Sequence, residues 1–219
     1  MVTYDQLRQN AAVNTYIEEA DRALGALGYT EHSFAHVTHV AKTAGDLLTK
    51  LGYDAHTAEL ARAAGYLHDI GNLVNRVDHS QSGAIMAFRI LDKMGMDARD
   101  IAAVVSAIGN HDEDTGVPIN PIAAALILAD KSDVRRSRVR NPEPSTFDIH
   151  DRVNFSVNDT ALELDAAAKT LTLRLDIDTS CGSVMDFFEI FHVRMSMCKN
   201  AARTLGLGFG LVINGQTVM

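Results

Sequence analysis

Tryptophan is absent from this 219-residue chain, and aromatic residues make up only 6% of it. Any core must therefore rest mainly on Ala, Leu, Ile, Val and Met, and a hydrophobic content of 47% is ample for a sizeable one. Cysteine is nearly absent too. Cys181 and Cys198 form neither a CxxC pair nor a zinc-type spacing, so a disulfide framework or cysteine metal site is excluded. They read as two reduced thiols in a cytosolic protein. No apolar run approaches membrane-spanning length, and residues 1–20 lack the basic-then-apolar order of a signal peptide. A cytoplasmic protein with no membrane partner is expected. Positive charge is also scarce: 20 Lys and Arg face 28 Asp and Glu, for a net charge of −8. That argues against a general binder of nucleic acid or membrane surface, because phosphate backbones attract basic faces. It leaves room for a small anionic substrate held by a local basic pocket or by metals.

What is present is mostly helical pattern. Residues 5–25 carry good helix formers. Residues 33–51 place Val37, Val40, Ala41, Ala44, Leu47 and Leu48 at the helical period, and Gly52 ends the run. Residues 56–68, 80–95 and 97–109 repeat the pattern. Asn120-Pro121 begins another helix, with Asn as cap and Pro in the first turn, and Ile122, Ala125, Leu126 and Ala129 form its apolar face. Short joints predict a compact bundle. After about residue 140 the pattern changes. RNPEPSTFD reads as a loop, residues 161–178 as a β-hairpin, residues 183–205 as a helix, and GFGLVINGQTV as a final strand with an Asn-Gly turn. The predicted fold is mainly α, a helical bundle over 1–140 with a small α+β annex over 141–219. The aromatic run MDFFEIFHVRM reads as the core helix covering the hairpin; its other reading is a homodimer interface.

Several titratable residues fall where an apolar pattern should not hold them. His68 and Asp69 close the alanine-rich segment AAGYLHDIGN, where adjacent residues at a helix end can aim at one point and Gly71 permits a sharp exit. Asp130 borders the apolar face of its helix, and a carboxylate there requires a cation. His32, His36 and His39 can share one side of the second helix. Imidazole and carboxylate together suit Mn, Fe, Ni, Co or Zn. His36, His68, Asp69 and Asp130 thus form a candidate metal set. His32, His39, His56, His150 and His192 read as ordinary surface or core histidines, although His32 sits one turn before His36.

The ordered set HVTHVAKTAGDLL, AELARAAGYLHDIGN and LILADKSD resembles the HD-domain superfamily of metal-dependent phosphohydrolases, over roughly residues 30–135. In that family a His on one helix precedes a His-Asp doublet and a distant Asp. The resemblance selects His36 over His39, 32 residues before His68. It also implies that His79 and His111 hold a second metal, with Asp69 bridging; a non-liganding His79 or His111 would be the acid for the leaving group. NHDEDTGVP is similar to the matching region of the cyclic-di-nucleotide branch, but Asn110 replaces its first His and GYP is missing. Asn72 stands where many members have a phosphate-contacting Lys. The cation-rich stretch DKSDVRRSRVR offers a replacement, with Lys131, Arg135 and Arg136 as a phosphate clamp. The expected function is hydrolysis of a small phosphorylated substrate, a nucleotide above all, by a water that one or two divalent ions activate. The alternative is a metal- or nucleotide-binding regulatory module without turnover.

Overall fold

A computed structural model describes residues 1–113 and 115–219. Every α-helix but the one over His79–Lys93 begins where a polar side chain caps free backbone N–H groups. Thr3 and Gln6 form a capping box on α1 (Tyr4–Arg8), and Asn10 caps α2 (Ala11–Ala26) by accepting from the Ala12 and Val13 amides. The single helix expected over 5–25 is therefore two, because Asn10 spends its side chain on a new helix start. Ser33 caps α3 (Phe34–Lys50), Asp54 caps α4 (Ala55–Leu67) and Asp97 caps α6 (Ala98–Gly109). Between α4 and α6 the chain makes a 3-10 turn, Ile70–Leu73, and then α5 (His79–Lys93). Asn120 caps α7 (Pro121–Lys131).

Helix α7 is the axis of the bundle. All residues from Ile122 to Ala129 are buried, not only the face expected from its periodicity. Periodicity shows one apolar stripe, because a segment taken alone has no partner for its other side. Helices α3, α4 and α6 cover one side of α7, and α9 (Val184–Thr204) covers another. A helix apolar all round is one that is covered all round. Helices α3 and α4 cross closely, since a Cβ on Gly65 would lie 2.7 Å from the Ala41 Cα. That close crossing carries His36 and His68 toward each other.

The C-terminal part is built around a four-stranded sheet of order β1-β2-β3-β4. Strands β1 (Val157–Asp165) and β2 (Thr170–Ile177) are an antiparallel hairpin. Helix α9 then crosses over to β3 (Gly208–Ile213), which pairs parallel with β2. The expected single final strand is a hairpin: β4 (Gln216–Thr217) returns beside β3 through Asn214-Gly215, both at positive φ. Such a pair of positive φ values is what a tight two-residue turn requires. Leu171, Leu173, Leu175 and Ile177 alternate inward from β2 and meet Phe187, Phe191, Met195 and Cys198 of α9 in a single core cluster that also contains the α7 residues. One helix is not expected from the sequence: α8 (Ile149–Ser156), capped by Asp148. It is short and mostly polar, so no apolar period announces it. Among the described residues no helix is long and apolar enough to cross a membrane.

Candidate metal centre

The four helices around the end of α7 deliver one histidine each, or a histidine neighbour, to a common point. His36 lies in the first turn of α3, His68 caps the end of α4, His79 opens α5 and His111 follows α6. All four are at most 2% exposed. Asp69 follows His68, and Asp130 arrives on the last turn of α7.

Each ring is oriented from behind. His68 Nδ1 donates to the Gly65 carbonyl at 2.8 Å, His79 Nδ1 to Arg76 at 3.0 Å and His111 Nδ1 to Ile108 at 2.6 Å. A carbonyl only accepts, so the ring proton sits on Nδ1 in all three. His36 Nδ1 faces the fully buried Asp133 carboxylate at 2.7 Å, which fixes the same tautomer. The four Nε2 atoms are thereby turned toward one another. His36 and His68 stand 3.3 Å apart at Nε2, and His79 and His111 stand 3.2 Å apart. Asp69 Oδ2 lies 3.2 Å from His68 Nε2 and 3.4 Å from His36 Nε2, and Asp130 Oδ1 lies 3.3 Å from His36 Nε2. Asp69 Oδ2 is buried and accepts no hydrogen bond from the described residues. A buried carboxylate oxygen without a partner, beside two close imidazole pairs, is what a bound cation would satisfy.

Electrostatics give the same answer. Burial opposes protonation of His68, but the Asp69 and Asp130 carboxylates outweigh it and push the imidazole up to about 10. Burial would raise the Asp69 carboxyl, yet His68 and His36 hold it well below the usual carboxylate range. Asp130 is likewise depressed, against burial, by Lys131, His36 and His68. Two sets have ligand atoms close enough to hold an ion: His36, His68 and Asp130, and His68, Asp69 and His111. His79 adjoins the second set through His111 and stands 3.7 Å from Asp69 Oδ1. The nitrogen and carboxylate donor set fits a divalent transition metal.

The structure bears on several expectations from the sequence, beginning with His79 or His111, where not a ligand, as the acid for the leaving group. Burial lowers the pKa of both, and their one ring proton is committed to a backbone carbonyl. Asn72 does not reach the cleft. It is buried behind Asp69, donating to that residue's Oδ1 at 3.0 Å and accepting from Arg76 Nη1 at 3.3 Å. It therefore orients a candidate ligand and an arginine. Arg135 turns to Asp133 and Glu31, and Arg136 lies on the surface over the Phe155 ring, bonded to the Phe155 carbonyl. Neither lines the cleft beside the metal cluster, which is about 400 Å³ and takes its cations from Lys131, Arg76, Arg138 and Arg194. Gly71 has no positive φ. It is needed because α5 packs on it: a Cβ there would lie 2.5 Å from the Gly83 amide nitrogen and nearer still to the His79 carbonyl.

His32 and His150 line the cleft as well. His32 donates through Nδ1 to the Thr30 carbonyl at 2.7 Å, and its ring packs edge-on to His36 at 5.4 Å. The one-turn spacing from His36 is its signal in the sequence. His150, Arg76 and Arg194 give none, because α8, the α4–α5 connection and α9 approach the cleft only in three dimensions. His39 and His192 are exposed, and His56 pairs with Asp100 at 2.7 Å away from the cluster.

A helical bundle whose helix ends converge histidines and aspartates on one buried point has side chains placed as ligands of a metal ion would be. Residues 33–135, a little under half of the chain, match the family model of the HD domain. It is 30% identical to an uncharacterized protein of Methanocaldococcus jannaschii over 171 residues, 67% of this chain and 65% of that one. It is 33% identical to ribonuclease Y of Acetivibrio thermocellus over 135 residues, 58% of this chain but only 24% of that one. The chain thus spans less than two thirds of either relative. A crystal structure of a predicted HD superfamily hydrolase from an uncultured Thermotogales bacterium is similar at 26% identity and a TM-score of 0.44, covering 57% of this chain and 67% of the other.

Proposed function

We propose that the protein is a metal-dependent phosphohydrolase acting on a small phosphorylated substrate, preferably a nucleotide. One observation carries the reading: four imidazole Nε2 atoms and an orphaned carboxylate oxygen converge at a cleft that also presents Lys131, Arg76, Arg138 and Arg194. When bound, a divalent ion supplies Lewis acidity toward water and phosphoryl oxygen. His36, His68 and Asp130 are the residues that would hold one ion, and Asp69, His111 and His79, with His68 between, a second. Asn72 and the backbone carbonyls keep these side chains aimed. Lys131, fixed 2.8 Å from Asp130 Oδ2, and the arginines offset the charge of the phosphoryl group. In the reaction the oxygen of water bonds to phosphorus and the bond from phosphorus to the leaving oxygen breaks. The proton that water gives up reaches the leaving oxygen through solvent.

The test is reconstitution with Mn, Fe, Ni, Co or Zn, then assay against nucleotides, generic phosphoesters and a short oligoribonucleotide. The last is included because one relative is a ribonuclease by name. Turnover lost on chelation and in Asp69→Ala supports the proposal, and turnover surviving both refutes it. Tight nucleotide binding without turnover under any metal would select a regulatory module instead.

A further inference from the structure

Part of the cleft wall lies outside residues 33–135. Helices α8 and α9 bring Asp151, Asn154 and Arg194 to it. Arg194 is held on two sides. Its guanidinium lies 4.5 Å from the ring centroid of the buried Phe191, and its Nε donates to Glu113 Oε1 at 2.5 Å. Glu113 Oε1 is also 3.7 Å from Lys131 Nζ, which in turn is bonded to Asp130. These contacts join Arg194 to the metal cluster. Among the described residues, no acceptor takes a hydrogen bond from either Nη group of Arg194. A stacked guanidinium with two free N–H edges in a cleft is a preorganised anion contact.

Helix α8 offers the opposite chemistry. Asn154 Nδ2 donates to the His150 carbonyl at 2.9 Å, which fixes the amide and leaves Oδ1 as an acceptor. Asp151 is 8% exposed, and its Oδ2 accepts from Asn141 at 3.3 Å. Such acceptors repel a phosphate and suit hydroxyl groups. Tyr29, 44% exposed, adds an aromatic face to the same cleft. A volume of about 400 Å³ is within the range of small-ligand sites and holds one nucleotide, not a strand.

We propose that α8 and α9 form the specificity wall of the cleft, and that it takes a ribonucleoside monophosphate. Arg194 contacts the phosphate, Asn154 and Asp151 accept from the ribose hydroxyls, and Tyr29 carries the base. The substrate class rests on the phosphohydrolase reading above, but the assignment of the wall concerns binding and can be tested without turnover.

The experiment is calorimetry on metal-loaded protein with a ribonucleoside 5′-monophosphate, its 2′-deoxy counterpart and inorganic phosphate, alongside metal content, kcat and KM. Arg194→Gln should weaken phosphate and nucleotide alike by about tenfold, the worth of one charge-assisted contact, with metal content unchanged, and Arg194→Lys should recover part of it. Asn154→Ala should weaken the ribonucleotide while leaving inorganic phosphate untouched, and so erase the preference over the deoxy form. If those binding differences appear but no metal gives turnover, the wall stands and the hydrolase reading falls. If the nucleotide is hydrolysed yet neither variant moves binding or KM, the wall is refuted. Tighter binding of an oligoribonucleotide than of the mononucleotide also refutes it. Should Arg194→Gln fail to fold, Arg194→Lys and Asn154→Ala still decide the matter.

Discussion

Gly71→Ala tests the link between packing and the metal centre most directly. The added methyl would meet the Gly83 amide nitrogen at 2.5 Å, where ordinary contact begins at 3.4 Å, and would overlap the His79 carbonyl more severely. Both obstacles are backbone at the start of α5, so no side chain can swing away. The first turn of α5 must move by about 0.9 Å or more, given those two distances. Overpacking costs about 1–3 kcal/mol, and a backbone obstacle puts this case near the upper end. For a chain of this size that lowers Tm by roughly 6–12 °C. His79 moves with its turn, beyond the ~0.2 Å tolerance of a metal site. Metal affinity should therefore fall by about 10–100-fold at the position served by His79 and His111. Two controls grade the effect. A Cβ at Gly83 would sit 3.1 Å from the His68 carbonyl, and one at Gly109 would find nothing nearer than 3.8 Å. Gly83→Ala should change Tm little, since a tight contact offsets the gain in helix propensity, and Gly109→Ala should be neutral or slightly stabilising. Calorimetric Tm and metal titration of the three variants give the answer. Gly71→Ala with wild-type Tm and full metal uptake would refute the argument.

Three further outcomes are expected. Asp133 is fully buried against Arg135, Arg138 and His36, and although burial opposes it, those partners hold its carboxyl below the ordinary range. Its stabilisation is complete above the unfolded carboxyl pKa of about 4 and drains away as pH falls below it, so urea midpoints of Asp133→Asn and wild type should converge in acid; removing the charge at neutral pH should cost about 3–5 kcal/mol. Because the carboxylates push His68 up to about 10, a proton occupies it at neutral pH and metal must displace it. Uptake should release protons, seen as a buffer-dependent heat, and the apparent Kd should weaken by up to about tenfold per pH unit on acidification; a pH-independent Kd between 6 and 9 would contradict this. Burial pushes the Cys198 thiol up to about 12, whereas Cys181 is only half-buried. A thiol reagent at pH 8 should modify Cys181 in the native protein and Cys198 only after unfolding, and rapid modification of both would show α9 to be less firmly packed than described.

The sequence by itself determined the local order of this protein. Periodicity located α3 to α7, with Asn120 marking the start of the last, because a helix face and its first turn are written in neighbouring residues. It also exposed His68, Asp69 and Asp130 as titratable groups closing apolar segments, the mark of a cation partner. Resemblance ordered them with His36, His79 and His111. Only the tertiary structure decided which other groups meet them. Whether an arginine points into a cleft depends on what packs behind it, so Arg135 is spent on Asp133 while Arg194, some sixty residues later, reaches the cleft from α9. Asn72 reads as a substrate contact because the resemblance puts a phosphate-contacting Lys at its place, whereas its amide is consumed by Asp69 and Arg76. Gly71 reads in sequence as a turn residue and in space as a contact surface, since its obstacles come from residues on α5. Spacing fixes what one helix presents; the company it keeps is settled by long-range packing, which no single segment encodes.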